Sequence, residues 1–121
     1  MVLTDSLAAY YKCDENAANT TVADAHGSNT GTSATNTSTM YDADGVFNSS
    51  FDIASGDKIS IPLALGNKAT GSVSMWVNWT GNAGGSDGRS HMWGSRDGGG
   101  NNERRFSVAV DRFGFLLILE V

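Results

Sequence analysis

Apolar residues recur at every second position through several short stretches of the chain, the periodicity of a half-buried β-strand. The first runs from Ser6 to Cys13, where Leu7, Ala9, Tyr11 and Cys13 share one face and Ala8 and Tyr10 make the other face fairly apolar as well. From Asp14 to Thr39 Val22 is almost the only large apolar side chain, which predicts a long surface excursion with short extended pieces. Beyond Phe47 the alternation returns. Phe51 and Ile53, then Ile59, Ile61 and Leu63, flank an Ala54-Ser55-Gly56-Asp57 turn, and this spacing predicts a hairpin. Pro62 lacks an amide donor and should mark an edge or the end of its strand.

The clearest alternation spans Ser72 to Trp79. Val73, Met75, Val77 and Trp79 take one face and Ser72, Ser74, Trp76 and Asn78 the other, so one tryptophan should face the core and its neighbour elsewhere. Gly81 to Asn102 is a glycine-rich loop carrying Arg89, His91, Trp93, Arg96 and Asp97, with a short strand expected at His91 to Gly94. The chain closes on a hairpin. Phe106, Val108 and Val110 alternate, Asp111-Arg112-Phe113-Gly114 suits a type I turn, and Phe115 to Val121 returns. Nothing demands a helix longer than a turn or two, and no internal repeat is visible.

Composition agrees with an all-β reading and bounds the partners. The 121 residues are enough for one core and one domain over 1–121. Charged residues make up only 17%, against about 25% in average soluble chains, and Gly, Ser, Thr and Asn take their place. That substitution favours turns and strands over helices. A net charge of -5 argues against nucleic acid, which needs clustered cations to follow its phosphates. Arg104 and Arg105, with Arg89, Arg96 and Arg112 nearby in sequence, read as a solvated rim. The longest apolar stretch, Phe113 to Leu119 with Gly114 inside it, is far short of the ~20 residues of a spanning helix, so no membrane insertion is expected. Met1 to Leu7 shows no secretory leader. Cys13 is alone, so no internal disulfide can form and a small buried strand residue is its simplest role. Four sequons, beginning at Asn19, Asn36, Asn48 and Asn78, are what a chain rich in Asn, Ser and Thr produces by chance.

Several motifs occur in a telling order. A Leu-x-Ala-Tyr-Tyr strand at Leu7 to Tyr11 leads into the acidic pair Asp14-Glu15, and an Asp-x-x-Gly-x-x-x-Gly element follows at Asp24, Gly27 and Gly31. Gly45-Val46-Phe47, the Phe51 strand, Asp57-x-Ile59-x-Ile61-Pro62 and Ser72-Val73-Ser74-Met75-Trp76-Val77 come next. Over Leu7 to Trp79 this series resembles the laminin-G-like, or concanavalin-A-like, lectin–glucanase domains, and the closing hairpin resembles the family's next pair of strands. The resemblance implies an antiparallel β-sandwich of jelly-roll type and a non-catalytic recognition or adhesion module for glycans or a cell-surface partner. The family's later strands, one with a Trp-His pair and one ending in an Asp-Gly turn, have no counterpart before Val121. The sandwich is therefore expected to be compact or incomplete.

The last strand is apolar on both sides, with Phe115, Leu117 and Leu119 on one face and Leu116 and Ile118 on the other. Such a strand should be covered. A compact variant, an assembly whose subunits cover it, or a fragment of a longer protein would each account for it. Assembly is favoured, through self-association or association with other structural proteins, in an extracellular or virion-borne setting. A phage decoration, tail or fibre protein with protein contacts only is thus the alternative to a glycan-binding module.

Catalysis finds little support. Retaining glucanases of this fold place two carboxylates about 5 to 5.5 Å apart on one strand, whereas Glu15, Glu103 and Glu120 are scattered. No Gly-x-Ser-x-Gly elbow occurs, Cys13 has no histidine partner in its sequence context, and His26 and His91 alone cannot make a zinc site. No catalytic residue is assigned and an enzyme is not expected. The resemblance does imply calcium at a loop rim, for which Asp24, Asp42, Asp44, Asp57, Asp87 and Asp97 offer oxygen donors, although no EF-hand spacing selects among them. Sugar faces stack on aromatic rings while their hydroxyls need polar partners, which makes Trp93, Arg96, Asp97, Asn101 and Asn102 the candidate ligand patch. Trp93 could equally be a core residue of a short strand.

Overall fold

The structure is a computed structural model that describes residues 6–54, 56–63, 71–79, 89–96, 105–111 and 116–120. Its regular structure is antiparallel sheet, with a single turn of helix among the described residues and no helix there long and apolar enough to cross a membrane. The backbone gathers into two compact units, Met1–Leu63 and Ala64–Val121.

In the first unit β1 (Thr21–Val22), β2 (Gly31–Ser33) and β5 (Ile59–Ser60) form a three-stranded antiparallel sheet in the order β1-β2-β5. Thr32 stands opposite both Thr21 and Ser60, while Ser33 stands opposite Ile59. Burial follows the pleat: Val22, Gly31 and Ser33 point inward and Thr21 and Thr32 outward. Gly31 is required by close packing, because a Cβ there would come within 2.9 Å of Ile61 Cγ2. The polar excursion expected from Asp14 to Thr39 thus contributes much of this unit's interior, with Val22 and Thr37 fully buried. Hydrophobicity alone misses it, because small side chains with satisfied hydrogen bonds fill the space. Ser33 Oγ donates to the Thr20 carbonyl at 3.2 Å. Thr37 Oγ1 donates to the Ala17 carbonyl at 3.1 Å and accepts from the Ala17 amide at 3.2 Å.

Helix α1 (Thr37–Met40) is one turn of β-branched and small residues. It ends as Tyr41 turns extended, and it buries Met40. A hairpin follows, β3 (Tyr41–Gly45) and β4 (Asn48–Phe51), pairing Tyr41 with Phe51, Asp42 with Ser50 and Gly45 with Asn48 across an irregularity. Two residues make the turn feasible. Asn48 adopts φ 72°, the left-handed region that asparagine tolerates, and a Cβ on Gly45 would overlap the Ser49 backbone carbonyl.

This pairing corrects the hairpin expected between Phe51–Ile53 and Ile59–Leu63: Phe51 pairs back to Tyr41, whereas Ile59 pairs to Ser33 in the other sheet. Polar bonds from the 34–35 segment hold the residues before Ile59 to β2's end. The Asp57 amide closes a turn on the Ala54 carbonyl, Thr35 Oγ1 donates to Asp57 Oδ1 at 3.1 Å, and the Ala34 amide donates to the Lys58 carbonyl at 2.9 Å. The expected Ser6–Cys13 strand keeps its alternation of half-buried and exposed positions but forms one bridge, Tyr11 to Asp24. Cys13, at φ 57°, takes the backbone out of the extended region.

In the second unit Ser72–Trp79 forms no ladder among the described residues, which corrects the strand expected there. Alternation supplies a face that fits a sheet, but a strand also needs a neighbouring edge to bond. The tryptophans divide as expected, Trp79 half-buried and Trp76 exposed, but Met75 and Val77, expected on the core face with Val73 and Trp79, are exposed as well. β6 (Arg89–Arg96), β7 (Arg105–Asp111) and β8 (Leu116–Glu120) make an antiparallel sheet in that order. The short strand anticipated at His91–Gly94 is longer than expected. The closing hairpin forms as read, with Val110 opposite Leu116 and Phe106 opposite Glu120. Its proposed turn residues 112–114 lie outside the described residues.

Candidate functional site

The most highly bonded polar centre in the first unit is Asp24. The amides of Tyr10, His26 and Gly27 each donate to its Oδ1 at 3.0 Å. The Asn29 amide donates to Oδ2 at 3.0 Å, and Asn29 Nδ2 reaches the same oxygen at 3.4 Å. Asn29 also donates to the Ala8 carbonyl at 3.1 Å and accepts from the Tyr11 hydroxyl. Led by the Tyr10 and Gly27 amides, these donors hold the Asp24 carboxyl well below the usual carboxylate range. The spacing from Asp24 to Gly27 has a mechanical cause, because a Cβ on residue 27 would lie 2.9 Å from Oδ2. This carboxylate ties the leading segment to the loop before β2, and a cation there would compete with N–H donors already in place.

The other calcium candidates are dispersed. Asp42 Oδ1 accepts from the Asp44 amide at 2.9 Å on the exposed strand β3, and Asp57 accepts from Thr35. Asp87 and Asp97 lie outside the described residues. Among the described residues no three His, Cys, Asp or Glu side chains gather where they could hold a metal ion. Near Cys13, Glu15 Oε1 accepts from the Ala23 amide at 2.7 Å, while its buried Oε2 finds no partner among the described residues. Burial, reinforced by Glu15 and Asp14, pushes the Cys13 thiol up to about 11 and keeps it protonated near neutral pH.

The candidate ligand patch falls partly on β6. Trp93 stands opposite Val108 and Arg96 opposite Arg105, with no irregularity between them. Since positions alternate between faces, a separation of three places Trp93 and Arg96 on opposite faces of the strand. Trp93 is half-buried, and its indole Nε1 is buried without an acceptor among the described residues, as is Trp79 Nε1. Asp97, Asn101 and Asn102 lie outside the described residues. Of the expected assembly surface, Leu116, Leu117, Ile118 and Leu119 form most of β8, which lies beside β7 at the outer position among the described residues, and Phe115 lies outside them.

Sequence reasoning underweighted Trp76, which is 74% exposed and has exposed Ser74 and Asn78 at alternate positions beside it. The signal was present in the alternation, which already set Trp76 apart from the apolar face. No protein-family model, curated protein or solved structure matches this chain.

Proposed function

We propose that this chain is a non-catalytic recognition module, a β-sandwich of the laminin-G-like jelly-roll kind, that binds a glycan or a cell-surface partner through a presented aromatic ring. The observation that carries this reading is the exposure of Trp76 between Ser74 and Asn78. An indole face can stack on the apolar face of a sugar while hydroxyl and amide groups beside it bond the sugar's own hydroxyls. The engagement of Asp24 by backbone amides supports a structural role for that carboxylate.

Glycan-array binding with and without calcium, repeated with Trp76→Ala and Trp93→Ala, tests the proposal. Retention should fall at least tenfold in Trp76→Ala, while Trp93→Ala should mainly lower the unfolding midpoint. Absence of retention on every glycan and on cells, in both calcium conditions, would sink it.

A second reading, a structural component of a virion or other extracellular assembly, is favoured by β8. This strand occupies the outer position of its sheet among the described residues and is composed of Leu116-Leu117-Ile118-Leu119-Glu120. An outer strand that is apolar over four consecutive residues and carries its one charge only at the end is prone to associate. Concentration-dependent mass from light scattering distinguishes an assembling chain from a monomeric one.

A further inference from the structure

The 71–79 segment that carries Trp76 contains no ionisable side chain, and none occurs anywhere between Lys68 and Asp87. Ser72, Ser74, Met75, Trp76, Val77 and Asn78 are all exposed along it, Trp76 by 74% and Val77 by 50%. The segment therefore offers a ligand one indole, two further apolar side chains, two hydroxyls and one carboxamide. Exposed apolar surface edged by small polar groups marks a place of contact.

The chemistry of these groups selects among glycans. Hydroxyls and carboxamides each donate and accept hydrogen bonds, as the hydroxyls of a sugar do. A sulfate or carboxylate set against them would shed water without gaining a counter-charge, and that uncompensated desolvation disfavours it. Discrimination of this kind comes from rejecting the charged competitor as much as from fitting the neutral one. Calcium, another means of holding a sugar, takes about six to eight oxygen ligands with carboxylates among them, and this segment supplies no carboxylate.

We propose that the ligand of the Trp76 surface is a neutral glycan, held by stacking on the indole and by hydrogen bonds from its hydroxyls, without a metal ion. Sulfated, uronic-acid and sialylated glycans are excluded from it. The proposal names the ligand class of the Trp76 site and rests on the recognition reading. Because no ion pair contributes, binding should be insensitive to screening.

The test is retention of the full chain on immobilised neutral polysaccharides and on their sulfated, uronate and sialylated counterparts, with calcium and with EDTA. Each is run at about 0.1 M and about 1 M salt, between which the screening length falls from ~10 Å to ~3 Å. Retention on a neutral glycan should exceed that on its charged counterpart by about tenfold or more and should change by less than about twofold with salt or EDTA. Trp76→Ala should lower it about tenfold or more, and Trp76→Phe, which keeps a stacking ring, should lose less. Retention confined to charged glycans, or abolished by 1 M salt or by EDTA, would leave the recognition reading standing and overturn this ligand class. Neutral-glycan binding that Trp76→Ala leaves intact would overturn the site. No retention on any glycan would overturn both. Should either substitution unfold the chain, the ranking of neutral over charged glycans by the unaltered chain still decides.

Discussion

Replacing Thr37 with valine preserves the shape of a fully buried side chain but removes the hydroxyl that bonds both polar groups of Ala17. The two losses differ. The Ala17 carbonyl still accepts from the Ser38 amide at 3.0 Å, so that side forfeits one bond, worth about 0.5–1.5 kcal/mol. The Ala17 amide loses its acceptor, and an orphaned donor costs about 1–3 kcal/mol. Ala17 is only half-buried and can be partly rehydrated, which puts the expected destabilisation near 2 kcal/mol, on the order of the lower half of that combined range. Thr37→Ser keeps the hydroxyl and loses a methyl, an effect of about 0.5–1.5 kcal/mol. Valine should therefore be the more damaging substitution, the reverse of what burying a methyl in place of a hydroxyl would suggest. The probe matters. Tyr10, Tyr11 and Tyr41 all lie in Met1–Leu63 and Trp76, Trp79 and Trp93 all lie in Ala64–Val121, so tyrosine ellipticity in urea reports the unit that contains the substitution. With a slope of about 2 kcal/mol per molar urea, the midpoint for Thr37→Val should fall by about 1 M. A valine variant as stable as the unaltered chain, or more stable than Thr37→Ser, would refute the assignment of this bridge as a structural keystone.

Gly45→Ala should destabilise the β3–β4 hairpin by about 1–3 kcal/mol through its overlap with the Ser49 carbonyl, visible as faster amide exchange across Asn48–Phe51. Asp24 titrates lower in the folded chain than its ordinary value of 3.8, so its contribution is complete above about pH 4 and is lost as acid protonates it in the fold. Asp24→Asn should flatten that acid limb, and an unchanged acid unfolding profile would contradict the role given to this carboxylate. Cys13 titrates higher folded than unfolded, so its contribution is present below about pH 9 and declines as pH rises toward about 11. Iodoacetamide should accordingly modify the folded chain slowly at pH 8, and rapid modification there would show the thiol to be accessible and ionised.

The chain's legible parts are those where one physical requirement both writes the sequence and builds the element. Phe106, Val108 and Val110 alternate because β7 has two faces, and their pairing with β8 follows from a short connection. The same alternation in Ser72–Trp79 separated Trp79 from Trp76 but misplaced Met75 and Val77, which are exposed, because it carried no information about which edge, if any, would bond the segment. The β1-β2-β5 sheet was illegible for a different reason. Its interior is built partly from Ser33 and Thr37, whose hydroxyls bond partners 13 and 20 residues away in sequence. Asp24 did leave a local trace, the Asp-x-x-Gly spacing, which describes a carboxylate capping its own loop as readily as a cation ligand. Likewise, the odd spacing of Trp93 and Arg96 becomes informative only once β6 is known to continue through both.

The distribution of side chains divides the labour between the two units. The first is fixed by polar bonds of low sequence visibility, and of its carboxylates Asp42 and Asp44 are exposed on β3 while Glu15 and Asp24 are half-buried among backbone donors. The second holds every tryptophan and every arginine, the residue types that most often anchor recognition because they combine large contact area with directional donors. A glycan-binding role through Trp76 on the 71–79 segment and self-association through β8 would both draw on that second unit, but from different places. They are therefore separable by substitution. If Trp76→Ala abolished glycan retention while leaving sedimentation unchanged, and Leu117→Lys with Leu119→Lys did the opposite, recognition and assembly would be independent properties of one sheet-rich unit. If each substitution instead impaired both, the simpler conclusion would follow that ligand binding requires the assembled form.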